Sequence, residues 1–100
     1  MVEDVIGHLT LVKLSGEVPN GDHQAVGALK LVQRGISKID DIGVCKNLRR
    51  LDCSKNELDT LKFVEHAYNL SFFNCSTNKI RFISHLDNLA SLVTLNLSNN

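Results

Sequence analysis

The chain lacks tryptophan and has one proline, one methionine and one tyrosine in 100 residues. It also lacks a surplus of charge: eleven Lys and Arg stand against eleven Asp and Glu. A nucleic-acid-binding face needs Lys and Arg gathered on one side, and an anionic membrane surface attracts a polybasic stretch. The composition argues against both. Apolar residues run two or three at a time, as at Leu11-Val12, so no segment is long enough to cross a bilayer as a helix. The six glycines, at 7, 16, 21, 27, 35 and 43, are too scattered to cradle a phosphate, and no nucleophile-elbow or dinucleotide-binding motif occurs.

Cysteine is scarce and unpatterned. Cys45, Cys53 and Cys75 are odd in number and form no C-x-x-C pair, so neither a disulfide framework nor a zinc knuckle is expected. The start, Met1-Val2-Glu3-Asp4, has neither the positive charge nor the apolar run of a secretory signal. The expectation is an intracellular, cytoplasmic protein, in which the sequons at Asn69, Asn74 and Asn96 arise by chance. A secreted ectodomain that uses them is the alternative. His8, His23, His66 and His85 stand in four different contexts with no metal-ligand spacing. No catalytic residue, cofactor or metal is expected.

What is present is a repeat. Leu48-Arg-Arg-Leu51-Asp-Cys53-Ser-Lys-Asn56-Glu-Leu58-Asp-Thr-Leu61 returns 22 residues later as Leu70-Ser-Phe-Phe73-Asn-Cys75-Ser-Thr-Asn78-Lys-Ile80-Arg-Phe-Ile83. It begins a third time at Leu92-Val-Thr-Leu95-Asn-Leu97-Ser-Asn-Asn100, and Val26 to Ile39 fits one turn earlier. In the template L-x-x-L-x-L-x-x-N-x-L-x-x-L, the five apolar slots are filled in all three complete turns. The chance of that in a fixed register is on the order of one in 10^5, so the period is no accident of composition.

The stretch L-x-x-L-x-L reads as a short parallel strand with template positions 4 and 6 inward and 3, 5 and 7 outward. One turn cannot bury its inward face alone, whereas stacked turns build a continuous core. Asn56, Asn78 and Asn100 follow the strand, where their amides can satisfy backbone groups of the turn and of the next coil. Arg34 occupies that slot in the first turn and interrupts the ladder. On the far side, the i, i+3 spacing of residues such as Ile80, Ile83, Leu86 and Leu89 suits 3-10 or single helical turns. Cys53 and Cys75 fall inward one coil apart, as small buried hydrophobes.

These residues resemble the leucine-rich-repeat family, over residues 26–100. The 22-residue length and the I-x-x-I-x-x-L-x-x-L continuation resemble its short intracellular subtype named after a phosphatase-1 regulatory subunit. The resemblance implies a right-handed α/β solenoid with one short parallel strand per coil and helical turns on the convex side. Its coils would be 26–47, 48–69, 70–91 and a partial 92–100, with strands at 29–31, 51–53, 73–75 and 95–97. Residues 1–25 form an N-terminal cap: Asp4, Val5, Leu9 and Val12 suggest a short capped amphipathic helix followed by the turn-rich 16–22. A cap strand through Leu9 and Leu11 is the alternative. Ending in the Asn slot, the array is expected to be part of a longer one.

By elimination, function falls on the concave outward face of the strands. Its columns carry Ala28, Arg50, Phe72 and Thr94 at position 3, and Lys30, Asp52, Asn74 and Asn96 at position 5. Serines 54, 76 and 98 follow Val32 at position 7, and Gln33, Lys55, Thr77 and Asn99 stand at position 8. Phe72 is the exception on a polar face, and Arg50 beside it can stack on the ring. Arg and aromatics dominate interface hot spots. Lys30 and Asp52 are expected to pair across coils. Arg50, Asp52, Phe72, Asn74, Thr94 and Asn96 are therefore the expected contact surface for a protein partner, with Phe82 a second candidate anchor. The resemblance implies a non-catalytic scaffold in a cytoskeletal or ciliary assembly. The alternatives are a phosphatase regulatory subunit and a structural segment of a larger protein.

Overall fold

The computed structural model describes residues 6–100. The chain enters through β1 (His8–Leu9) and α1 (Leu11–Ser15), then 3-10 turns at Pro19–Gly21 and His23–Ala25. Beyond them lie β2 (Ala28–Lys30), β3 (Lys38–Ile39), β4 (Arg50–Asp52), β5 (Phe72–Asn74) and β6 (Thr94–Asn96). The strands β2, β4, β5 and β6 form one parallel sheet in that order, with Ala28, Arg50, Phe72 and Thr94 in line across it. A second, two-stranded parallel sheet joins β1 to β3.

The alternation of side chains explains the sheet. Leu29, Leu51 and Phe73 are buried at the strand centres, and Leu31, Cys53 and Cys75 are buried immediately after them. The strands begin one residue earlier than the apolar pattern places them, yet the pairing runs past their ends. The N–H of Leu31, Cys53 and Cys75 donates to the carbonyl of Asp52, Asn74 and Asn96 one coil on. The N–H of Gln33, Lys55 and Thr77 does the same to Ser54, Ser76 and Ser98. On the opposite side, 3-10 turns occupy Ile42–Val44 and Lys62–Val64. The core is continuous from Leu14 and Val18 in the N-terminal segment to Ile80 and Leu89. Phe63 meets Phe73 edge-on, with ring centroids 6.0 Å apart.

Several expectations need correction. Asp4 and Val5 lie outside the described residues. Leu9 and Val12 do not share a helical face: Leu9 belongs to β1, Val12 is exposed, and the helix starts at Leu11 behind Thr10, whose hydroxyl accepts from the Lys13 N–H. Local propensity lost to β1–β3 pairing, which satisfies the backbone of a segment too short to be stable as a helix alone. The asparagine ladder runs toward the preceding coil, not the next. Asn56 Oδ1 accepts from the N–H of Arg34 and Ile36, and its Nδ2 donates to the carbonyls of Leu31, Cys53 and Ser54. Asn78 and Asn100 repeat this one and two coils later. Arg34 has no preceding repeat coil to serve, and its guanidinium pairs with Glu17 instead. Ile83, in an apolar slot of the template, is 76% exposed.

Candidate functional site

The site is built on the outer face of the four-stranded sheet. Because β4 and β5 pair in register, Arg50 and Phe72 are direct neighbours, and the Arg50 guanidinium carbon lies 4.4 Å from the Phe72 ring centroid. The ring faces outward and is half-buried, while the residue that follows it, Phe73, is fully buried. The neighbouring Ala28 is small, and a shallow hollow of about 320 Å³ opens between Ala28, Lys30, Arg50, Asp52 and Phe72. Thr94 continues the column at the exposed end of the sheet.

Asp52, Asn74 and Asn96 line up in the adjacent column, and each also has an internal task. Their Oδ1 atoms accept from the backbone N–H of Ser54, Ser76 and Ser98, at 3.1, 3.0 and 3.0 Å. The hydroxyls of Ser54 and Ser98 donate to the same oxygens of Asp52 and Asn96. These are side-chain turns closing each strand exit. The expected Lys30–Asp52 ion pair is not among the ion pairs of the described residues, because the best-placed donors to Asp52 are on its own coil. The six predicted contact residues thus share one face, with Arg50 and Phe72 forming its apolar and cationic centre.

Sequence reasoning missed the backbone at position 8. Gln33, Lys55, Thr77 and Asn99 all take positive φ, between 54° and 59°. A left-handed residue at this position in each coil turns the chain out of its strand. None of the four is glycine, which hid the signal.

The histidines are also better placed than their spacing suggested. His8 donates to Asp40 and His66 to Asp41, each at 2.7 Å, and His85 to Glu65 at 3.1 Å. Each pair bridges two successive layers of chain. Among the described residues no group of three or more His, Cys, Asp or Glu is placed to hold a metal ion. The cysteines are buried and free. A hydrogen bond with Cys75, together with burial, pushes the Cys53 thiol up, and burial pushes Cys45 up. Thiols held in the neutral form are poor nucleophiles.

No family model matches the chain, and no curated protein matches it. Among solved structures, it is similar to an internalin from Listeria monocytogenes str. 4b F2365, a leucine-rich-repeat protein, with a TM-score of 0.73 and 22% sequence identity. The likeness covers 87% of this chain, which spans 27% of the internalin chain. The stacked parallel strands, the asparagine ladder and this likeness together give the chain a leucine-rich-repeat solenoid fold.

Proposed function

We propose that the protein is a non-catalytic scaffold that binds a protein partner on the outer, concave face of its four-stranded sheet. The observation that carries this reading is the Arg50–Phe72 stack, an aromatic ring and a guanidinium held side by side on a face that is otherwise polar and small. The ring offers apolar area and the fixed sheet offers it at little entropic cost on binding. Asp52, Asn74, Thr94 and Asn96 add hydrogen-bonding groups to the same face. The free buried thiols suit a reducing compartment, and the sequence resemblance favours a cytoskeletal or ciliary assembly within the cell.

The test is a comparison of Phe72→Ala with the unaltered protein. Partners captured by each from a cell lysate are identified, and the strongest is titrated. Phe72→Ala is expected to weaken binding by more than about 1 kcal/mol while leaving the melting curve unchanged. Equal affinity removes the Arg50–Phe72 centre from the interface.

A further inference from the structure

We infer that a second docking site lies away from that face, in a groove between the first two coils, and that it takes an extended peptide carrying an apolar side chain flanked by Lys or Arg. The groove encloses about 580 Å³. Its floor is made by the outer edges of three core side chains, Ile39, Leu58 and Phe63. One wall is β3, which pairs with β1 along one edge, while no strand of the described residues covers the other. Coil two places Asp59 and Thr60 opposite without strand structure. An apolar floor between two stretches of backbone, with no strand laid over it among the described residues, can seat an extended segment whose apolar side chain enters the floor.

Charge decides the kind of occupant. The groove is bordered by four carboxylates, Asp40, Asp41, Asp59 and Glu65, against two ammonium groups, Lys38 and Lys62. Three of the carboxylates accept from histidines across the coils. Asp59 is exposed and takes part in no hydrogen bond or ion pair among the described residues. Its carboxylate is open to a ligand, as the Lys62 ammonium is, and around the groove carboxylates outnumber ammonium groups four to two. A cationic side chain there is drawn in by unlike charge, whereas an acidic peptide meets repulsion from the same rim.

The experiment uses a fluorescein-labelled peptide alternating lysine and leucine, and its counterpart with glutamate in place of lysine, titrated by fluorescence polarisation. The lysine peptide is expected to bind saturably, to weaken at higher salt, and to shift backbone amide resonances within 37–41 and 58–66. Asp59→Lys and Thr60→Trp, both at exposed positions, are each expected to weaken it at least tenfold with unchanged circular dichroism. Phe72→Ala is expected to bind it as the unaltered protein does, which separates this site from the sheet face. Equal binding of the glutamate peptide, equal affinity in Asp59→Lys, resonance shifts elsewhere, or no saturation up to millimolar peptide would each overturn the inference.

Discussion

Asn56 shows how much one side chain can hold. It is 6% exposed and makes five contacts to backbone groups of two coils, at 2.8 to 3.1 Å. Removing the amide leaves buried carbonyl and N–H groups without partners, each worth about 1–3 kcal/mol when orphaned. Asn56→Ala is expected to cost about 3 kcal/mol in urea unfolding. Asn100→Ala, whose amide sits at the exposed end, is expected to cost less than half of that. Thr77 presents the opposite case. It is β-branched and held at φ 54°, where a left-handed backbone crowds its Cβ. Thr77→Asn is expected to stabilise by about 1 kcal/mol, because Asn tolerates this conformation and already stands at the equivalent Asn99. Phe72 and Lys55 could be placed on the outer face from the period alone. The left-handed turn could not, because four unlike residues adopt it under the demand of strand exit.

Among the elements, the N-terminal segment is tied to the first coil by charge as well as by Leu9, Leu14 and Val18. The hydrogen bond from Arg34 holds the Glu17 carboxyl below the usual range, and that from His8 does the same for Asp40. A carboxyl whose pKa is lower folded than unfolded stabilises the fold fully at neutral pH, and that contribution disappears as pH falls through the folded value. The urea midpoint is therefore expected to fall as pH drops below about 5. In the double variant Glu17→Gln, Asp40→Asn, it is expected to fall less. Leu9 and Val12 share no helix, because periodicity in a short segment cannot reveal a partner strand 30 residues away. Gly43 carries a similar long-range demand. A Cβ there would lie 2.7 Å from the His66 Cβ, so the turn at Ile42–Val44 and the chain leaving the turn at Lys62–Val64 approach as closely as glycine permits.

At the scale of the molecule, coils touch only their neighbours, and stability is expected to be graded along the stack. Leu51, Cys53 and Phe73 are fully buried, with a coil on either side. β6 has a neighbour on one side only, all three of its residues are exposed, and Val93 just before it and Ile83 of the preceding coil are exposed as well. Hydrogen exchange at Leu51 and Phe73 is expected to be at least about 100-fold slower than at Leu95. Equal protection along the sheet would show that the array unfolds as one unit, without fraying from this end.

The 22-residue spacing by itself determined the solenoid, the inward columns and the six residues of the outer face, because burial of one residue in every coil stamps its apolar character on the sequence. It also marked Asn56, Asn78 and Asn100, since only a side chain that both donates and accepts fits a buried turn. Tertiary structure alone decided the direction of the ladder, the capping strand β1, the pairing of Arg34 with Glu17 and of three histidines with carboxylates, and the groove beside β3. Each of these depends on which surface a neighbouring coil brings within about 3 Å of a polar group, and that proximity leaves no periodic trace in the chain.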